Sequence, residues 1–146
     1  MGLWLDHRAT IETKVKIRVF FKYRNLIFYN MIEEGVSVPK FAVNDSNGKK
    51  VKSTDFKGKK HVIYFYPKDF TPGCSTQADE FSTEYKKFQD NEIEIIGISP
   101  DDVDSHKKFC NKMGIKYILL SDTEKEIANA FGVWGMKKFM GREYMG

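Results

Sequence analysis

From residue 31 onward the apolar positions switch repeatedly between a period of about two and a period of about 3.6 residues, and each switch predicts an element. Phe41, Val43 and Val51 flank Asp45, Ser46, Asn47 and Gly48, in which Asn-Gly supplies the positive φ of a tight turn, so the domain opens with a hairpin. Residues 61–66 (HVIYFY) are a nearly continuous apolar run rich in β-branched and aromatic side chains, as in a strand covered on both faces. Such a strand belongs in the middle of a sheet. Ala78, Phe81, Tyr85 and Phe88 then recur at intervals of three and four, which predicts a helix over residues 75–89 beginning at or beside Cys74. Residues 94–98 (EIIGI) form the next buried strand. Ser99, Pro100 and Asp102 read as a helix start with a cap, a first-turn proline and an acid near the positive end, the helix running to about Met113. Residues 117–120 repeat the strand pattern, and Ser121 with Glu124 reads as a capping box opening a last helix that carries Ile127 and Phe131 on one side. The order βαβαβα predicts parallel strands, right-handed crossovers and helices on the sheet faces, an α/β architecture.

Residues 1–30 lack this regularity. Val15, Lys16, Ile17, Arg18 and Val19 alternate apolar with basic, and the segment holds six Lys/Arg against two acids, whereas residues 31–146 hold eighteen of each. The whole net charge of +4 therefore sits in a basic extension, expected to lie outside a single domain spanning residues 31–146. A neutral body without a basic stripe gives no reason to expect nucleic-acid binding. No run of eighteen apolar residues exists to span a membrane. Two cysteines, Cys74 and Cys110, are too few for a disulfide-stapled scaffold and lack zinc-like spacing, which points to a reducing compartment. The cytoplasm is the expected location, or an organelle if the basic extension is a presequence.

The chemistry concentrates around Cys74. A thiol attacks an electrophile as its thiolate, and a helix N-terminus favours that anion through unpaired N–H groups and the helix dipole. Cys74 directly follows Pro72-Gly73, where the helix is predicted to begin.

Pro67, Thr71 and Cys74 fall in the spacing PxxxTxxC, and residues 64–81 (YFYPKDFTPGCSTQADEF), 97–101 (GISPD), 119–122 (LLSD) and 131–135 (FGVWG) extend the likeness. In these motifs the chain resembles the peroxiredoxins, in particular their bacterioferritin-comigratory, or Q-type, subgroup, from about Met31 to Gly146. The resemblance implies a thioredoxin-like three-layer fold and a thiol peroxidase that reduces hydrogen peroxide and organic hydroperoxides. It implies that Cys74 is the peroxidatic nucleophile, that the Thr71 hydroxyl hydrogen-bonds its sulfur and the peroxide, that Pro67 shields the thiolate, and that the N–H groups of Gly73 and Cys74 polarise the peroxide. Sulfur is the only redox centre implied; no metal or other cofactor is expected. Thioredoxin or a similar dithiol is the implied reductant, and a monomer the implied state.

The sequence departs from the family pattern in two places. Many members carry a resolving cysteine five residues after the first, where this chain has Asp79. Cys110, thirty-six residues on, resembles the resolving position of another branch; its spacing with Val103, His106 and Met113 is also that of a buried helix face. The family's arginine beside the thiolate is expected on a strand after residues 141–146 (GREYMG). Arg142 precedes that place, in a glycine-rich loop, and is not assigned the role. The closing strand pair and last helix are likewise not found, so the fold is expected to be incomplete at its C-terminus, with one edge of the central strand open. Two alternatives follow: a one-cysteine peroxidase resolved by an external thiol, and a catalytically silent remnant acting as a binding module.

Overall fold

The structure is a computed structural model that describes residues 2–5, 36–139 and 142–145. In chain order its elements are β1 (Gly2–Leu5), β2 (Ala42–Asn44), β3 (Lys50–Lys52), a short 3-10 helix (Ser53–Phe56), β4 (Lys60–Phe65), α1 (Pro72–Asp90), β5 (Ile93–Ser99), α2 (Val103–Met113), β6 (Ile118–Ser121), α3 (Glu126–Ala130), β7 (Met136–Phe139) and β8 (Arg142–Met145). The four-stranded sheet has the order β1-β4-β5-β6. β4, β5 and β6 run parallel, as the alternation of strand and helix requires, with Ile63 level with Ile96 and Ile98 level with Leu120.

Strand alternation divides the core into two layers. Ile63, Ile96, Ile98 and Leu120 point to one face, where they meet Val51, Phe56, and Ile127 and Ala128 of α3. Tyr64, Tyr66, Ile95 and Leu119 point to the other, where α1 contributes Cys74 and Ala78 and α2 contributes Phe109. Both long helices thus cover the same face, and both cysteines lie on it. Gly97 sits on that face because nothing larger fits: a Cβ there would come within 2.6 Å of a Leu119 methyl and 2.7 Å of the Tyr64 hydroxyl. The space goes to an aromatic layer in which Tyr64 stacks on Phe81 at 4.7 Å between ring centres and its hydroxyl meets that of Tyr117 at 2.8 Å.

The opening hairpin forms as its Asn-Gly turn predicts, with Gly48 at φ +78° and the Asp45 carboxylate accepting from the N–H groups of Asn47 and Lys49. It docks against β6 through Ser46, whose N–H donates to the Leu119 carbonyl.

At several points the structure departs from the sequence pattern. α2 is capped by Asp102, whose carboxylate accepts from the Ser105 N–H, and Pro100 lies outside the helix because Ser99 still belongs to β5. At α3 the Ser121 hydroxyl is buried and has no partner; the N-cap is Lys125, which gives no side-chain cap, and Asp122, three residues earlier, takes the N–H groups of Ile127 and Ala128 at 3.0 and 2.8 Å. A carboxylate with two oxygens satisfies two orphan donors where a serine satisfies one. Arg142 opens strand β8 rather than lying in a loop, paired across a hairpin with Phe139. The edge of β4 carries β1: Gly2–Leu5 pair antiparallel with residues 61–64. Four residues of the N-terminal segment therefore extend the sheet; residues 6–30, with the basic alternation around Val15, lie outside the described residues.

Candidate active site at the head of α1

β4 ends at Phe65, and a loop of six residues leads to α1. Thr71 is the N-cap, its backbone extended at ψ 148°, and Pro72 takes the first helical position, where its missing N–H costs nothing. The helical ladder starts with the Ser75 N–H on the Thr71 carbonyl at 2.8 Å. The N–H groups of Gly73 and Cys74 precede it and so have no acceptor within the helix. Cys74, in this first turn, is 9% exposed and packed in the aromatic layer, while Pro72 and Gly73 are exposed and a side chain at Gly73 would meet open space. Cys74 thus stands beside the N–H groups left over at the helix start, on the positive end of its dipole.

The Thr71 hydroxyl donates to the Lys68 carbonyl at 3.1 Å, which leaves its oxygen free to accept. Pro67 is exposed at the start of the loop, although a residue that shields a thiolate would be expected to cover it. Of the residues nominated by the sequence, the structure gathers Thr71, Gly73 and Cys74 into one turn. Cys110 is on α2, one turn beyond His106, half-buried and packed against the cluster that contains Cys74. Its thiol is pushed up from the ordinary value, chiefly by burial, with the charges of Asp69 and Asp45 adding and a hydrogen bond from Ser46 opposing.

A second group of residues stands under the loop, and sequence reasoning missed it. Asp69 is 3% exposed and His106 is fully buried, with His106 Nδ1 at 2.9 Å from Asp69 Oδ2. The Tyr66 hydroxyl donates to Asp69 Oδ1 at 2.7 Å and the Ser105 hydroxyl to Oδ2 at 2.8 Å. The Asp69 N–H in turn donates to Asp101, which Ser99 also holds. His106 Nε2 faces the Leu120 carbonyl at 3.1 Å. A carbonyl only accepts, so Nε2 is the ring nitrogen that donates there, and Nδ1 faces the Asp69 carboxylate. Burial alone would raise the Asp69 carboxyl, but the hydrogen bonds from His106, Tyr66 and Ser105, with the His106 charge, outweigh it and hold the group below 3.8. Burial and the Asp69 charge push the Tyr66 hydroxyl well up, so it stays a donor. The only sequence signal for this network was a histidine on an apolar helix stripe.

The profile of the AhpC/TSA family matches residues 35–144, three quarters of the chain, with Cys74 and its loop inside the match. The chain belongs to this family. It is similar to Peroxiredoxin Bcp of Bacillus subtilis (strain 168), at 45% identity over 115 residues that cover 79% of this chain and 73% of that one. Peroxiredoxin Bcp of Escherichia coli (strain K12) is 38% identical over 117 residues, covering 80% and 75%. Among solved structures, Peroxiredoxin Q of Xanthomonas campestris superposes with a TM-score of 0.68 at 36% identity, covering 73% of this chain and 67% of that one. As a peroxiredoxin of the Bcp or Q kind it is a thiol-dependent peroxidase on a thioredoxin-like fold, and its relatives' peroxide chemistry requires a reactive cysteine. The match of the family profile runs through β7 and most of β8, so the hairpin after α3 is part of what the family shares. Among the described residues, no helix is long and apolar enough to cross a membrane.

Proposed function

We propose that this peroxiredoxin reduces hydrogen peroxide and organic hydroperoxides through Cys74, forms an intramolecular disulfide with Cys110, and is recycled by thioredoxin or a similar dithiol. The observation that carries the reading is the placement of Cys74 in the first turn of α1, buried on one side and flanked by free N–H groups, with Cys110 packed on the same face of the sheet. In the first step the Cys74 thiolate attacks the terminal peroxide oxygen, the O–O bond breaks, and the alcohol or water leaves with a proton while sulfur keeps the oxygen as sulfenic acid. The N–H groups of Gly73 and Cys74 stabilise the charge that moves onto oxygen, and the Thr71 oxygen accepts the hydrogen of the incoming peroxide. Pro67, for which the family resemblance implies a shielding role, is exposed before the loop and contributes at most at its rim. In the second step the Cys110 thiolate attacks the Cys74 sulfur, the S–O bond breaks, water leaves, and the external dithiol then reduces the disulfide.

A further observation supports Cys110 as the partner. Two solved cysteine-to-serine mutants of the Xanthomonas campestris Peroxiredoxin Q, each 35% identical to this chain, carry their mutations thirty-six positions apart, the separation of Cys74 and Cys110 here. The two free thiols fit a reducing compartment such as the cytoplasm, and a monomer suffices for this cycle because both cysteines lie on one chain. The test is thioredoxin-dependent peroxide turnover of Cys110→Ser. Loss of turnover with the first oxidation step intact supports the reading; full turnover would assign resolution to an external thiol.

A further inference from the structure

The turn of the opening hairpin is exposed from Asn47 to Lys50, yet Ser46 beside it is only 8% exposed. Burying a hydroxyl costs free energy unless it finds a partner, and here the partner is on α2. Two contacts with consecutive residues of β6 bring the elements together: the Ser46 N–H donates to the Leu119 carbonyl at 3.1 Å, and His106 Nε2 of α2 faces the Leu120 carbonyl at 3.1 Å. An antiparallel bridge between Asp45 and Leu120 fixes the turn on the same strand. Cys110 lies one turn of α2 beyond His106 and packs in the cluster that holds Leu119. Its carbonyl takes the N–H groups of Gly114 and Ile115, which pins its backbone at the helix end. In this corner the Ser46 hydroxyl hydrogen-bonds the Cys110 sulfur.

We propose that Ser46 is a positioning residue for the second step of the cycle: its hydroxyl holds the Cys110 sulfur and bonds it more strongly as the attacking thiolate than as the thiol. This rests on the reading that Cys110 resolves. Condensation consumes the thiolate: its sulfur attacks the Cys74 sulfenic acid, the S–S bond forms, the S–O bond breaks, and the leaving hydroxide becomes water with the proton that Cys110 gave up. The surroundings of Cys110 work against that thiolate. Burial disfavours it most, and Asp69 from the loop before α1 and Asp45 from the hairpin add negative charge. Tyr64 of β4 and Tyr117 ahead of β6 stand close enough to feel the sulfur's charge. Of these side chains, only the Ser46 hydroxyl favours the anion. Asp45 and Ser46 are adjacent on one turn and act on the same sulfur with opposite sign.

The full chain is given one equivalent of hydrogen peroxide and quenched at set times with N-ethylmaleimide and dimedone. Mass spectrometry then counts Cys74 sulfenic acid and Cys74–Cys110 disulfide, so that the second step is read by itself. Alkylation of Cys110 in the reduced chain, followed across pH, gives a second readout that does not depend on which thiol resolves. In Ser46→Ala the disulfide should form about three- to tenfold more slowly at pH 7, the deficit narrowing as pH rises, and Cys110 should alkylate more slowly. Ser46→Thr, which keeps the hydroxyl, should restore both rates. Asp45→Asn removes the opposing charge and keeps a side-chain acceptor for the turn, and it should speed both. Loosening the hairpin would move Ser46→Ala and Asp45→Asn in the same direction, so opposite signs separate the hydrogen bond from a structural effect. Disulfide formation as fast in Ser46→Ala as in the unaltered chain, or slowed alike in Ser46→Ala and Asp45→Asn, would overturn the proposal while leaving Cys110 as the resolving residue. Absence of any Cys74–Cys110 disulfide in the unaltered chain would remove the resolving role and the role of Ser46 with it.

Discussion

The Asp69 carboxylate and the His106 imidazole meet at 2.9 Å in the interior, joining the Cys74 loop to α2 across 37 residues of sequence. The carboxyl is held below 3.8, its ordinary value, so its contribution to stability has a definite sign. A depressed carboxyl stabilises the fold fully above the unfolded value and loses that contribution as pH falls through the lower folded value. At pH 7, Asp69→Asn should cost about 1–3 kcal/mol, because it replaces a buried carboxylate that holds His106, Tyr66 and Ser105 by hydrogen bonds. Urea midpoints of the two proteins should differ at pH 7, and the gap should begin to close below about pH 4 and go on closing as pH falls through the lower folded value. A gap that persists unchanged into acid would show that the carboxylate's charge is not what matters.

Cys110 has its thiol raised from 9.0, mostly by burial. Alkylation requires the thiolate, so at pH 7.5 Cys110 should react with iodoacetamide more slowly than a free cysteine in a short peptide, and its rate should still be climbing at pH 9. Peptide mapping of the alkylated chain gives the site. A rate that levels off near neutral pH would contradict the buried setting.

Gly97→Ala should destabilise the domain by about 1–3 kcal/mol, because the added methyl meets Leu119 and the Tyr64 ring at under 3 Å and the aromatic layer is too tightly packed to yield freely. Thermal unfolding reads this directly. Trimming the neighbour in Gly97→Ala with Leu119→Ala should not simply add the two losses, since one relieves the crowding of the other.

Asp122→Ala should lower stability by about 1–3 kcal/mol through the loss of two buried hydrogen bonds to the first turn of α3, whereas Ser121→Ala should cost little, its hydroxyl having no partner. Comparable losses in both would restore the capping box read from Ser121 and Glu124.

What the sequence made legible was whatever local pattern encodes. The β-branched run at residues 61–66, the stripe of Ala78, Phe81, Tyr85 and Phe88, and the Asn-Gly turn each specify an element by neighbours a few residues apart, and each is where it was expected. Cys74 was legible because its helix start is written beside it in Pro72 and Gly73. The Asp69–His106 pair was not, because its members lie on different elements and meet only when α2 packs on the sheet. The helix caps failed for a subtler reason: Ser121 and Asp122 are adjacent and both capping residues, and the end of β6 turns one away from α3 and the other toward it. Strand β1 was illegible too, since the edge it occupies exists only once β4 is in place.

The central claim is that Cys74 is the sulfur that meets peroxide, and it is tested most directly by trapping the first product. Cys110→Ser prevents the internal disulfide, and the reduced variant is given one equivalent of hydrogen peroxide with a dimedone-type reagent that captures sulfenic acid. Mass spectrometry of the digested chain should find the adduct on Cys74, and Cys74→Ser should lose peroxide reduction by on the order of a thousandfold. A chain that yields no adduct at Cys74, or a Cys74→Ser protein that consumes peroxide as fast as the unaltered one, would contradict the account.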